Sequence, residues 1–336
     1  MEYRYSQLID PRNYGNHGLC DGISLRVHHN VDIEEHGVIR LRNDWHRYVG
    51  SMPSVSLGGS MGPIYNSTSA TIPECHPDRL EIVSYIMELG FLHDDLVDTS
   101  TVAEGRALDD QLITSLNEKL KETEKTSEKP GVERIQEKAI AEAMAIDPLR
   151  AKEMVAYWTM GLGVGRDRTQ FSDFEDYLEY RIVDCGSFFM IALATFGMCL
   201  AIPSREKEDC FRLTRPAWAA AALTNDLQSW DKECKLIQTQ DKVDMANGIW
   251  VVMKQYSINV DEAKSLVVQK VRHYVVELVD IINNLHTRKN LSLDSRRLIE
   301  ATQYMVSGNV LWGMSTPRYH ADRSLTDLQI VRMLRG

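Results

Sequence analysis

Apolar and polar positions alternate with a helical period over most of this chain. From Asp78 to Asp98, Leu80, Val83, Met87, Phe91 and Leu92 recur at three- and four-residue steps and mark one buried helix face. The turn Pro73–Pro77 delivers Asp78 as the expected N-cap. The same period predicts helices over residues 107–120, 131–145, 147–162, 173–200, 205–238, 241–256, 260–287 and 292–315. Strand alternation is almost absent, because the valine pairs at 267–268 and 275–276 fall within helical periodicity. Residues 1–77 read as irregular, with a short helix over Arg40–Tyr48 and a loop from Gly58 to Pro63. Thr99–Glu104 reads as a polar loop and Lys121–Pro130 as a charged connector. After Pro317, the mostly polar stretch His320–Gly336 reads as a tail or the start of a linker. About ten helices around one core give an all-α fold, a helical bundle enclosing a deep central cavity.

Composition narrows the partners. A chain of 336 residues is long for an average domain but acceptable for one large helical core. The net charge of −10 argues against nucleic acid and anionic membrane, so a bound polyanion would need metal ions as mediators. The N-terminus does not read as a signal peptide, and no apolar run reads as a membrane span. Six cysteines without paired spacing point to reduced thiols and a cytoplasmic location.

The candidate chemistry lies in two acidic stretches. Asp94-Asp95-Leu96-Val97-Asp98 ends the first helix, with Asp94 and Asp98 four residues apart on one face. In the second, Asn225, Ser229 and Glu233 repeat at i, i+4 and i+8. Carboxylate, amide and hydroxyl oxygens are hard ligands that suit Mg²⁺, an ion that completes its shell with water and substrate phosphate. Two oxygen-only half-sites therefore imply a phosphorylated ligand between them. His93 reads as a helix-end residue rather than a ligand. The run Tyr180–Ser187 breaks a long helix at Gly186, which exposes backbone groups to a cavity; Arg181 is placed to reach a phosphate and Asp184 to orient it. Near the C-terminus, Arg318 and Tyr319 add a guanidinium fork and a hydroxyl, six residues after Trp312. Phe91, Phe188, Phe189, Trp218 and Trp312 are the candidate lining aromatics, whose ring faces stabilise cations.

Together these motifs resemble class I terpene cyclases. The resemblance is closest to the cyclase domain of the fungal chimeric, bifunctional terpene synthases, the group of the variediene, fusicoccadiene and ophiobolin F synthases. Gly18–Ile23, Asp44-Trp45 and Pro73–Arg79 also look like that group. The resemblance implies a cyclase domain over residues 1–320 and a tail over 321–336 leading towards a C-terminal prenyltransferase domain in a longer protein. It implies three Mg²⁺ ions and an allylic prenyl diphosphate substrate. Asp94, Asp95 and Asp98 would hold metal on one side, and Asn225, Ser229 and Glu233 on the other. Arg181, Lys232, Arg318 and Tyr319 would contact diphosphate, and Asp184 with Cys185 and Gly186 would form the helix-break element that assists ionisation. The expected reaction is cyclisation of geranylgeranyl diphosphate to a polycyclic diterpene hydrocarbon, with geranylfarnesyl diphosphate the rival substrate. A trans-prenyltransferase is disfavoured by the Asn/Ser/Glu stripe in place of a second aspartate-rich motif. A metal phosphohydrolase lacks a histidine ligand set. A non-catalytic helical scaffold is the remaining alternative.

Overall fold

A computed structural model describes residues 2–50, 59–119, 131–162, 168–240, 244–320 and 322–335. A small antiparallel ribbon, β1 (Ser6–Leu8) and β2 (Arg26–His28), pairs Ser6 with His28. The helices are α1 (Val31–Tyr48), α2 (Ser67–Thr71), α3 (Pro77–Thr99), α4 (Val102–Lys119), α5 (Val132–Ile146), α6 (Pro148–Gly161) and α7 (Phe174–Asp184). They continue as α8 (Ser187–Gly197), α9 (Lys207–Gln240), α10 (Gly248–Tyr256), α11 (Val260–Asn283), α12 (Leu293–Gly313) and α13 (Asp327–Arg335).

Two apolar cores form around the cavity. In one, α3 packs between α1 and α8, with α6 against α8. In the other, α9 is the spine between α11 and α12. Leu80, Val83, Met87 and Leu92 are buried as the period required, each contributing on the order of 2 kcal/mol. Close approach of α12 to α2 depends on Gly308, where a Cβ would stand 2.4 Å from the Ala70 carbonyl oxygen. Helix α9 runs on through Pro216, an interior proline that donates no hydrogen bond.

Several expectations need correction. The helix before the first acidic motif begins two residues earlier than expected: His76 is the N-cap in place of Asp78, accepting from the Asp78 amide at 3.3 Å, and Pro77 takes the first helical position. The expected short helix at Arg40–Tyr48 is the second half of the 18-residue α1. Its first half carries Glu34 and Glu35 on the buried side, which disguises the apolar stripe. The Glu34 carboxylate accepts from the amides of Thr68 (2.7 Å) and Ser69 (2.8 Å), tying α2 to α1. The described residues before Pro77 thus hold a ribbon and two α-helices. The loop expected over Thr99–Glu104 is shorter, because Thr101 and Glu104 exchange capping bonds that start α4. The predicted helix at 241–256 begins at Gly248; residues 241–243, like the whole charged connector at 121–130, lie outside the described residues. The expected tail carries α13, which packs on α1. The predicted break at Gly186 is present: α7 ends at Asp184, Gly186 adopts φ +89°, and α8 begins at Ser187. Residues 174–197 are apolar enough in sum to match a membrane span, but they form these two helices and contribute Arg181 and Asp184 to the cavity.

Candidate active site

A cavity of about 400 Å³ opens at the ends of α3 and α9. Its upper wall is acidic. Asp94, Asp95 and Asp98 occupy the last turns of α3 and offer oxygens within 4.8 Å of one another. The carboxyl of Asp98 keeps 41% of its surface open to the cavity mouth, yet protein surrounds it. That desolvation, with the charge of Asp94, pushes it up to about 7. Burial likewise raises Asp95, which is fully enclosed. Crowded carboxylates that resist ionisation are relieved by a cation between them.

The opposite wall comes from α9. Ser229 Oγ donates to Glu233 Oε1 at 2.6 Å and to the Asn225 carbonyl at 2.8 Å. Glu233 Oε2 accepts from Asn247 Nδ2 at 3.0 Å. Burial raises the Glu233 carboxyl as well. Asn225, Ser229 and Glu233 therefore share one face of α9, as their spacing required.

Three cations stand between the walls. Lys232 Nζ lies 3.6 Å from both Asp95 Oδ1 and Asp98 Oδ2. Arg318 Nη2 donates to Asp94 Oδ2 at 3.1 Å, and its Nη1 lies 2.8 Å from Asp95 Oδ1 without hydrogen-bond alignment. Burial works against the Arg318 charge, but Asp95 and Asp94 hold it protonated. Tyr319 packs edge-on to Trp312 and accepts from Asn225 Nδ2 at 2.7 Å, which joins the C-terminal pair to α9.

Arg181 is held on three sides. Its Nε donates to Asp226 at 2.9 Å, Nη1 to Asp184 at 2.5 Å and Nη2 to Asn225 Oδ1 at 2.8 Å. Tyr180 fixes Asp184 from the other side at 3.0 Å. Sequence reasoning missed Asp226. It is completely buried, accepts from Tyr177 and from the Gly248 amide (2.9 Å), and binds α7, α9 and the start of α10 together. Its position next to Asn225 shows only that it projects about 100° from that residue's stripe; that this direction is inward is known only from its partners.

Below this polar mouth the wall is apolar. Phe91, Phe189, Trp218 and Trp312 line it, joined by Met87 from the periodic face of α3 and by Trp158 and Met305, which the periodicity did not single out. Cys185 and Gly186 face it at the helix break. Phe188 does not line it. Its ring packs edge-on against Phe211, 5.3 Å between centroids, because neighbouring residues on α8 project about 100° apart and Phe189 takes the inward direction. His93 lies in the last turns of α3, where it is buried and its Nε2 meets Asp109 at 2.8 Å, so it fastens α3 to α4.

The donor set fits a hard divalent cation. Both half-sites are oxygen-only, and both Asp95 oxygens are buried without an aligned hydrogen-bond donor. All six cysteines are free thiols.

Comparison with known proteins agrees with this architecture. Residues 85–277 match the terpene synthase family 2, C-terminal metal binding. Phomopsene synthase of Phomopsis amygdali is 56% identical over the whole chain, which covers 46% of that protein. Fusicoccadiene synthase of the same organism is 35% identical over the whole chain, which covers 48% of it. The chain thus spans about half the length of the curated relatives it matches. Aristolochene synthase from Penicillium roqueforti has the same fold, with a TM-score of 0.69 at 20% identity over 86% of this chain and 96% of that one. The chain therefore belongs to the terpene synthase family, with the all-α fold of that family and its divalent-metal-binding region.

Proposed function

We propose that this chain is a Mg²⁺-dependent cyclase of geranylgeranyl diphosphate that releases diphosphate and a polycyclic diterpene hydrocarbon. The observation that carries the proposal is the convergence of two oxygen-rich helix faces and three cations on the mouth of one aromatic-lined cavity. Asp94, Asp95 and Asp98 would hold metal from α3, and Asn225, Ser229 and Glu233 would hold it from α9, for the three ions that the family resemblance implies. Bound Mg²⁺ neutralises charge on the leaving diphosphate.

The residues do the rest. In the structure each cation is paired with an acid or amide of the clamp. With metal bound, the acids would serve as its ligands, and Arg181, Lys232, Arg318 and the Tyr319 hydroxyl would be available to the phosphate oxygens. Asp226 and Asp184 keep the Arg181 guanidinium aimed at the mouth while its remaining N–H groups bind substrate. Phe91 and Trp312, 5.2 Å apart, close the apolar wall behind the mouth. Their faces stabilise the allylic cation and exclude water that would quench it.

Diterpene chemistry is favoured over a C25 substrate by likeness: phomopsene synthase and a bifunctional type I diterpene synthase of Aspergillus flavipes are 56% and 37% identical. A bifunctional sesterterpene synthase of Talaromyces wortmannii is 34% identical. The bifunctional relatives also support a C-terminal prenyltransferase partner domain in the full protein. Incubation with Mg²⁺ and, separately, geranyl, farnesyl, geranylgeranyl and geranylfarnesyl diphosphate, with gas chromatography–mass spectrometry of the extract, tests this. We expect a cyclic C20 hydrocarbon. A C25 product alone would transfer the assignment to the sesterterpene reading, and no hydrocarbon from folded protein would favour a non-catalytic scaffold.

A further inference from the structure

Between α12 and α13, the described residues 314–320 bring Arg318 and Tyr319 to the acid cluster, and 322–326 lead into α13. Both ends of this excursion rest on one two-residue shelf. Thr316 Oγ1 donates to the Met61 carbonyl at 3.3 Å, and Gln329 Nε2 donates to the Gly62 carbonyl at 3.0 Å and to Glu35 Oε1 at 3.1 Å. The Arg318 amide donates to the same Thr316 hydroxyl at 3.3 Å. The shelf is itself fixed, since the Gly62 amide donates to Asn66 Oδ1 at 3.0 Å.

Gln329 is 6% exposed, whereas its neighbours Leu328 and Ile330 are 60% and 40% exposed. The docking of α13 on α1 therefore includes polar contacts with little apolar burial from these neighbours. Arg332 pairs with Glu35 one turn further on. Gln329 also caps its own helix, its Oε1 accepting from the Thr326 amide at 2.9 Å. One side chain thus starts α13 and anchors it.

We propose that Gln329 is a positioning residue for the proposed reaction, latching the loop that carries Arg318 and Tyr319 over the cavity mouth. The inference rests on the reading of Arg318 and Tyr319 as diphosphate contacts. Fixing both ends of the loop on Met61 and Gly62 removes much of the conformational entropy that Arg318 would otherwise lose on reaching substrate.

The test uses the full chain carrying Gln329→Leu, with Arg332→Ala as a second variant and the exposed Leu328→Ser as control. Amide hydrogen exchange is followed at Ser315, Thr316, Tyr319 and His320 in the metal-free protein. Binding of Mg²⁺ with inorganic diphosphate is measured by calorimetry, and the ratio of acyclic alcohol to cyclic hydrocarbon by chromatography. In Gln329→Leu we expect these four amides to exchange about tenfold faster, as loss of two buried hydrogen bonds implies. We also expect weaker diphosphate binding and a larger alcohol fraction. Arg332→Ala moves all three the same way, and Leu328→Ser moves none. Wild-type exchange and wild-type diphosphate affinity in Gln329→Leu would overturn the latch. Failure of the cyclase reading is separate: it shows as no hydrocarbon from the wild-type protein, and the exchange rates still decide whether the latch exists.

Discussion

At the residue scale, Asp94 and Asn225 head the two halves of the clamp. Asp94→Ala or Asn225→Ala should abolish hydrocarbon formation while far-ultraviolet circular dichroism stays native; turnover by either variant would break the link between clamp and chemistry. Asp226→Asn is expected to act differently. It leaves Arg181 with a neutral partner in a buried setting, a change worth about 3 kcal/mol, and should lower both the unfolding free energy and turnover. Denaturant unfolding alongside kinetics checks this, since a stability equal to wild type would mean the pair is not strongly coupled. The clamp residues were legible in the sequence because oxygen-bearing side chains repeated at four-residue steps on otherwise apolar helices. Asp226, Tyr177 and Gln329 were not, because a buried polar residue looks like a surface one until its partner, 49 residues away for Tyr177–Asp226, is known. Phe188 and Phe189 show the converse limit. Two adjacent aromatics carry no signal for which of them faces a cavity.

At the element scale, the bundle was legible wherever one apolar stripe faced one core. It failed at α1, where Glu34 and Glu35 replace apolar residues on the inner face, and at α13, a short helix in which Gln329 is buried while Leu328 and Ile330 are exposed. Glu34 gives a testable pH dependence. Burial pushes its carboxyl up to about 7 despite the amides it accepts from α2. A raised folded value means that its contribution to stability is complete below the unfolded value of 4.5 and is lost as pH rises through 7. Glu34→Gln should therefore gain on wild type by up to about 3 kcal/mol between pH 5 and 8, read as a difference in melting temperature. A constant difference across that range would count against a raised value. Packing of α12 on α9 offers a second handle. A Cβ at Gly313 would lie 1.9 Å from Gln228 Oε1, and Gln228 is already committed to the Val310 carbonyl at 3.0 Å. Gly313→Ala should cost about 1–3 kcal/mol in thermal denaturation, because Gln228 must abandon that bond. An unchanged midpoint would show that the two helices part without cost.

At the scale of the whole molecule, the internal ion pairs of the mouth stand where metal and diphosphate would each take one side. Mg²⁺ with inorganic diphosphate should therefore raise the melting temperature together, by more than the sum of either alone, because each ligand frees the protein charges the other needs. Additive or absent shifts in a thermal-shift titration would contradict a shared site. The distances along the chain have another consequence, for the order in which the protein is made. Asp94 and Arg318 are separated by 224 residues. At ordinary ribosomal speeds of about 5–20 residues per second, the acids emerge roughly 10–45 s before the arginine that neutralises them. During that interval a nascent chain holds most of the greasy wall of the cavity and none of its closure. Native contacts of such long range form late, which leaves this half-built pocket open to aggregation in the meantime and makes its mouth one of the last parts of the molecule to come into being.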